Sequence, residues 1–197
     1  HGKRGIKVGD LLKRDNLHDY QNYCIKYIRS HPITALFLDC GLGKTIISLT
    51  AINDLMLDEF LISRVLVIAP LRVTNVWVSE LQHWEHLSNL CISRVVGSQR
   101  ERIAALNIPA HIYVVNREVV KWLVEYYEKN GMKFPFDMVV IDELSSFKNH
   151  QSQRFKWLRK VRPFVKRWVG LTGTPTSNGL MDLFAEIGIL DGGERLG

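Results

Sequence analysis

The sequence has few cysteines and no long uncharged apolar segment. Its three cysteines, at positions 24, 40 and 91, are odd in number and form no closely spaced pair. This excludes a disulfide framework and a zinc site built on cysteine pairs, and it suits a reducing compartment. No apolar run is long enough to cross a bilayer, and no secretory signal opens the chain. We therefore expect a cytoplasmic protein, without membrane contact.

What is present fits one folded domain. The chain has 197 residues, of which 46% are hydrophobic and 23% are charged. These proportions are typical of globular proteins and exclude a disordered chain. The formal net charge of +6 is compatible with binding to phosphate backbones, but many basic proteins bind no anion.

Short apolar runs alternate with longer amphipathic stretches. A run without polar alternation is typical of a strand covered on both faces. We predict strands at residues 35–38, 65–69, 112–115, 138–141 and 168–171, and a weaker one at 91–96. Helical spacing of apolar residues predicts helices at 46–60, 73–87, 118–129, 154–161 and 180–190.

This alternation predicts an α/β fold with a mostly parallel sheet and helices on both faces. We expect one domain over residues 1–190. Residues 191–197 are polar and glycine-rich and read as the start of a linker.

A phosphate-binding loop follows the first predicted strand. Gly41 and Gly43 allow the backbone to curl so that its N–H groups face phosphate oxygens. The following helix adds the partial positive charge of its N-terminus. Lys44 is placed to reach the β- and γ-phosphates, and Thr45 to bind Mg²⁺.

Two adjacent carboxylates, Asp142 and Glu143, end the run at residues 138–141. Open α/β sheets bind ligands at this end of their strands. We expect Asp142 to hold Mg²⁺ and Glu143 to orient or deprotonate the attacking water. Lys44 and Asp142 should converge from neighbouring strand ends on one magnesium–nucleotide.

These motifs, with those at residues 17–21, 66–71, 113–118 and 171–175, resemble the first RecA-like domain of superfamily-two helicases. Within that group the chain is most similar to SWI/SNF-type DNA translocase ATPases of a phage or prophage kind. The resemblance implies ATP and Mg²⁺ as cofactors, duplex DNA as a partner, and a bacterial or phage-infected host cell.

The resemblance also implies roles for individual residues. Catalysis would rest on Lys44, Asp142 and Glu143, and the metal on Thr45 and Asp142. ATP would be held by Gln21, which reads the adenine, and by Gly41, Leu42, Gly43, Lys44, Thr45 and Ile46. Nucleic acid would face Arg72, Thr74, Asn116 and Arg117. The ATP state would be coupled to motion by Thr172, Gly173 and Thr174.

Three departures from the family pattern affect these expectations. Leu38 stands where the strict phosphate loop begins with glycine, and Ser145 stands where the carboxylate box has a histidine. The second RecA-like domain, which supplies arginine fingers and half of the nucleic-acid track, is absent from the sequence. We expect this chain alone to bind ATP and to hydrolyse it poorly.

Other interpretations stay open on the sequence alone. Arg72 is also compatible with a plain surface charge, and Asn116 with a helix N-cap. The stretch 149–181 has no acidic residue, and it fits either a phosphate-binding face or a solvated or docking surface. The alternative functions are an RNA helicase, a phosphate-loop phosphotransferase and a non-catalytic nucleotide-binding module.

Overall fold

Six parallel strands form the centre of the structure, a computed structural model that describes residues 11–144 and 153–173. The strands are β1 (Ile33–Phe37), β2 (Val65–Ala69), β3 (Ile92–Val95), β4 (Ile112–Asn116), β5 (Met138–Asp142) and β6 (Arg167–Thr172). Their order across the sheet is β1-β6-β5-β2-β4-β3, and every pairing is parallel.

Among the described residues, six α-helices flank the sheet. They are α1 (Asp19–Ser30), α2 (Lys44–Asn53), α3 (Thr74–Leu81), α4 (Gln99–Leu106), α5 (Val120–Lys129) and α6 (Gln153–Val161). Apolar side chains from α1, α2 and α3 pack in one buried cluster, and those from α4, α5 and α6 pack in another. Alternate residues of β2 enter the two clusters, Val65 and Val67 the first and Leu66 and Ile68 the second. The predicted parallel sheet with helices on both faces is confirmed.

The helix predicted over residues 73–87 is shorter than expected. α3 ends at Leu81, and Trp84 is extended, with φ −121° and ψ 123°. The reason is a backbone contact from the start of the described chain. The Leu12 N–H donates to the His83 carbonyl at 2.8 Å, and the Leu12 carbonyl accepts from the Glu85 N–H at 2.9 Å. This pairing holds Trp84 in an extended conformation between α3 and the 3₁₀ turn Glu85–Leu87.

Two helices were not predicted. In α1, Cys24, Ile25 and Ile28 follow helical spacing and are buried, so an apolar stripe was present in the sequence. In α4 the stripe is almost absent, but Ser98 and Glu101 form a capping box that marks its start. The predicted helix at 180–190 and the linker at 191–197 lie outside the described residues.

Within 11–144 and 153–173, no helix has both the length and the apolar character that crossing a bilayer requires.

Candidate nucleotide site and the Glu143–arginine cluster

The parallel sheet gathers the predicted functional segments at its carboxyl edge. The phosphate loop follows β1, Thr172 ends β6, and Asp142 ends β5. Arg72 lies just after β2, and Arg117 just after β4. Because parallel strands share one direction, these segments emerge on the same side of the molecule.

The phosphate loop curls over the start of α2. Gly41 and Gly43 have φ of 85° and 75°, in the left-handed region that favours glycine. Lys44 is the first residue of α2, and its ammonium donates to the carbonyls of Leu38 at 2.7 Å and Asp39 at 3.0 Å. The amine thus folds back over the loop that is predicted to hold phosphate.

The other predicted ATP-binding residues of this loop differ in exposure. Leu42 is exposed, Thr45 is half-buried and Ile46 is buried. The side chain of Ile46 belongs to the core and also lies close to Gly43 of the loop. The Thr45 hydroxyl lies in the first turn of α2, where Mg²⁺ would bind beside a nucleotide phosphate.

The N-terminal turn of α1 supports the loop from one side. The Tyr20 hydroxyl donates to the Leu42 carbonyl at 3.2 Å. Gln21 is buried, its side-chain oxygen accepts from the His18 N–H at 2.9 Å, and its amide nitrogen lies against Gly43. Gln21 therefore sits beside the phosphate loop. Its reading of adenine stays a prediction.

Asp142 is a buried carboxylate at the carboxyl end of β5. It accepts a hydrogen bond from the indole N–H of Trp77, on α3, at 3.0 Å. Burial raises the pKa of Asp142 above its ordinary value, while the Trp77 donor and the positive charge of Lys44 oppose that rise. Asp142 and the phosphate loop that precedes Lys44 lie along the same carboxyl edge of the sheet.

One strand separates the two halves of the site. β6 lies between β1 and β5, so Lys44 and Asp142 do not come from neighbouring strands as expected. The Leu38 N–H donates to the Thr172 carbonyl at 3.0 Å, and Gly173 packs beside Leu38 and Cys40. The predicted coupling residues Thr172 and Gly173 thus lie between the phosphate loop and the carboxylate pair. Thr174 lies outside the described residues.

Glu143 has a different environment from Asp142. Its backbone is left-handed, with φ 54°, which is uncommon for a residue with a side chain. Its carboxylate accepts from Arg72 at 2.9 Å and from Arg117 at 2.9 Å. Partial burial would raise the pKa of Glu143, but the hydrogen bonds and charges of the two arginines outweigh it and hold that pKa below its ordinary value.

The four residues predicted to face nucleic acid therefore differ in access. Arg72 is exposed, and Arg117 is largely covered beside Glu143. Thr74 is fully buried; its hydroxyl donates to the Leu71 carbonyl and accepts from Arg94. Thr74 has no accessible surface in this structure, and its contact with nucleic acid stays a prediction.

Asn116 ends β4, and its side-chain amide donates to Glu118 at 2.8 Å. It takes the N-cap position of the short 3₁₀ turn Arg117–Val119 without a side-chain capping bond. Asn116 therefore occupies a helix-cap position, as the alternative interpretation proposed, but its side chain makes no capping hydrogen bond.

The part of the basic stretch 149–181 that directly precedes β6 lies away from this edge. Lys166 and the turn Arg162–Phe164 precede β6, at the opposite end of the sheet. Lys160 pairs with Glu128 at 2.7 Å, and Lys166 lies 3.7 Å from Asp137. These ion pairs fit the docking or solvated-surface interpretation better than a track beside the nucleotide. Ser145, Lys148 and Asn149 lie outside the described residues.

Three contacts of the site were missed by the sequence analysis. Trp77, in the helix predicted over residues 73–87, donates to Asp142. Arg72 and Arg117 were expected to face nucleic acid, and both also pair with Glu143. The partner of Trp77 lies 65 positions away, and no local pattern reports such a contact.

Comparisons with known proteins agree with this architecture. The SNF2-related domain model matches residues 20–191. The chain is 37% identical over 185 residues to Putative protein p41 of Acyrthosiphon pisum secondary endosymbiont phage 1, covering 90% of this chain and 40% of that protein. It is 31% identical over 193 residues to the Chromodomain-helicase-DNA-binding protein 3 homolog of Caenorhabditis elegans, covering 86% of this chain and 11% of that protein.

A solved structure, the Sulfolobus solfataricus SWI2/SNF2 ATPase core in complex with dsDNA, matches with a TM-score of 0.73 and 26% identity, covering 90% of this chain and 36% of that chain. The chain thus spans well under half the length of each relative named here. The family match over nearly all of the sequence is nevertheless decisive: the chain belongs to the SNF2-related domain family.

Proposed function

We propose that this chain is the ATP-binding domain of a nucleic-acid-dependent ATPase that moves along duplex DNA. The observation that carries the proposal is that the phosphate loop with Lys44 and the buried Asp142 lie along one carboxyl edge of the sheet. An amine and a carboxylate at the same edge suit one magnesium–nucleotide, with the amine on the phosphates and the carboxylate on the metal.

Nucleotide binding would exchange existing hydrogen bonds for new ones. The Lys44 ammonium leaves the carbonyls of Leu38 and Asp39 and donates instead to phosphate oxygens. The backbone N–H groups of the phosphate loop and of the first turn of α2 add to this binding. Tyr20 and Gln21 hold the loop in place from α1.

The donor set fits Mg²⁺, which prefers oxygen ligands and keeps several waters. Asp142 is buried with a raised pKa, so its negative charge lacks full compensation in this structure. A divalent cation beside Asp142 and Thr45 would supply that compensation and would neutralise charge on the phosphates. The compensation of the Asp142 charge by a divalent cation supports the predicted metal site.

Hydrolysis would depend on Glu143 and on groups outside this chain. Glu143 would orient or deprotonate the attacking water. Thr172 and Gly173 contact the phosphate loop from β6, where a change in nucleotide state can reach the rest of the domain. Arginine fingers would come from a second RecA-like domain of the same polypeptide, so this chain alone should turn over slowly.

Duplex DNA as the substrate is supported by the structural neighbour, which is a complex with dsDNA. The phage relative supports a bacterial or phage-infected cytoplasm as the place of action. A phosphate-loop phosphotransferase is not favoured, because the family match extends through the coupling segment, which that function would leave unexplained.

The test is ATP turnover by the full-length protein, with and without duplex DNA. Lys44→Ala should lose nucleotide binding and turnover. Glu143→Gln should keep nucleotide binding and lose turnover by a factor of about 10² or more, because water activation fails. Arg100→Ala, which removes an exposed arginine of α4, is the matched control. Turnover that survives both Lys44→Ala and Glu143→Gln would refute the site; stimulation by RNA and not by DNA would refute the substrate.

A further inference from the structure

Glu143 is held by two arginines from two other strands. Arg72, after β2, reaches one carboxylate oxygen at 2.9 Å, and Arg117, after β4, reaches the other at 2.9 Å. Guanidinium–carboxylate hydrogen bonds are charge-assisted and directional. The carboxylate is therefore fixed from two directions, and its position is set by residues outside the phosphate loop and β5.

Both arginines lie on the side of β5 away from the phosphate loop. The sheet order β1-β6-β5-β2-β4 places the loop beyond β6 on one side of Glu143, and both arginines on the other. Asp142, one residue earlier, is buried and accepts instead from Trp77 of α3. The two adjacent carboxylates thus have different partners, and the two arginines draw Glu143 toward the side of β5 away from the phosphate loop.

The backbone of Glu143 supports this interpretation. Its φ of 54° is a strained conformation for a residue with a side chain, and such conformations persist only where the surroundings hold them. Loss of the arginine contacts would remove part of what holds this conformation. A return to an ordinary backbone conformation would re-aim the carboxylate.

The two arginines differ in their access to solvent. The Arg72 side chain is 77% exposed, and the Arg117 side chain is 13% exposed. Arg117 also contacts the carbonyl of Asp142 at 3.5 Å. An external anion can therefore reach Arg72 first. Exposed ion pairs are weak, so a polyanion that offers several phosphates competes well for this arginine.

We propose that Arg72 and Arg117 are positioning residues that hold Glu143 away from the nucleotide until a nucleic-acid phosphate binds Arg72. Phosphate at Arg72 removes the Arg72 contact of the Glu143 carboxylate, and Glu143 moves toward the phosphate loop. This inference rests on the proposed ATPase function and adds to it the means by which nucleic acid raises turnover.

The experiment measures kcat and KM for ATP in the full-length protein, without nucleic acid and with saturating duplex DNA. Arg72→Ala should raise the DNA-free kcat by about two- to fivefold, the factor that corresponds to loss of an exposed ion pair. KM for ATP should stay unchanged, and the rate with saturating DNA should stay near wild type. The ratio of stimulated to basal rate should therefore fall.

Three further variants separate this mechanism from others. Arg72→Lys keeps a cation near Glu143 and should restore most of the low basal rate. Arg117→Ala should raise the basal rate as well, and circular dichroism checks its folding because this residue is largely covered. Arg100→Ala, on α4 outside the cluster, should behave as wild type in both conditions.

Several outcomes would overturn the inference. An unchanged basal rate in Arg72→Ala, with only more DNA needed for stimulation, would make Arg72 a plain DNA contact. A lower basal rate would mean that the arginines support catalysis directly. Failure of the proposed function looks different: wild type and Lys44→Ala would then show the same rate, with and without DNA.

Discussion

At the scale of single residues, the two glycines of the phosphate loop show how space and backbone conformation combine. Both have positive φ, but a Cβ at Gly41 would meet no atom within 4 Å, whereas one at Gly43 would overlap the amide of Gln21. Gly41 therefore needs glycine for its conformation alone. Gly43 needs it for its conformation and for the close approach of α1.

We predict that Gly43→Ala costs more stability than Gly41→Ala. Gly41→Ala should cost about 1 kcal/mol for the left-handed conformation. Gly43→Ala should cost the same and, in addition, the free energy of displacing Gln21. Urea unfolding of the two variants measures the difference, and nucleotide titration should show weaker binding for Gly43→Ala. Equal costs for the two variants would show that Gln21 does not pack closely on the loop.

Asp142 offers a second test at this scale. Asp142→Asn should raise the free energy of unfolding by roughly 0.5–2 kcal/mol in the absence of metal and nucleotide, because it removes a buried charge, and it should abolish metal-dependent nucleotide binding. The indole of Trp77 still has an oxygen to donate to. A variant less stable than wild type at neutral pH would contradict the raised pKa of Asp142.

The same change has a defined pH dependence. Since the folded-state pKa of Asp142 is raised, protonation favours the folded protein, and this contribution is lost as pH rises through that folded-state value. The stability advantage of Asp142→Asn should therefore be largest at neutral pH. It should shrink as pH falls toward the ordinary aspartate range, where both side chains become neutral.

The phosphate loop could be predicted from the sequence because its residues lie close together along the chain, while the roles of its single residues stay predictions. Gly41, Gly43, Lys44 and Thr45 are consecutive or nearly so, and their spacing alone indicates a phosphate loop. The partners of Glu143 could not be predicted in this way. Arg72 is 71 positions from it, and only the strand order brings the two together.

At the scale of elements, α3 links the core to the site. Trp77 is fully buried in the first apolar cluster, and its indole N–H donates to Asp142. Trp168, on β6, is also fully buried, but its indole nitrogen has no hydrogen-bond partner among the described residues. The two tryptophans therefore form a matched pair that separates packing from hydrogen bonding.

We predict that Trp77→Phe destabilises the protein more than Trp168→Phe does. Both changes remove a similar ring volume, but only the first removes a hydrogen bond to a charged group, which contributes roughly 1.5–3 kcal/mol. Chemical denaturation measures both losses. Metal-dependent nucleotide binding should weaken in Trp77→Phe alone, since Asp142 loses its donor. Equal effects on binding would mean that Trp77 acts only through packing.

The strands could be predicted better than the helices. Continuous apolar runs indicated each central strand to within two residues at each end, because burial on both faces leaves a strong pattern. The helix predicted at 73–87 ends early, at Leu81, because Leu12, a distant residue, pairs with the backbone around Trp84. α4 was missed because only Ala105 of that helix is buried.

At the scale of the whole molecule, the sheet order determines which segments meet at the candidate site. Local patterns predicted a parallel sheet, but no pattern placed β6 between β1 and β5. That placement puts Thr172 and Gly173 between the phosphate loop and the carboxylates. The Arg72–Glu143–Arg117 cluster lies on the side of β5 away from the phosphate loop. The site is therefore a property of the assembled sheet, although each of its motifs is local.

The central claim is that the phosphate loop and β5 hold one metal–nucleotide together. The most direct measurement is a crystal structure of the protein with Mn²⁺ and a non-hydrolysable ATP analogue, with the anomalous signal of the metal recorded. We expect the phosphates within hydrogen-bonding distance of the Lys44 ammonium, and the anomalous peak between the Thr45 hydroxyl and the Asp142 carboxylate. A peak elsewhere, or nucleotide bound away from Lys44, would contradict the account.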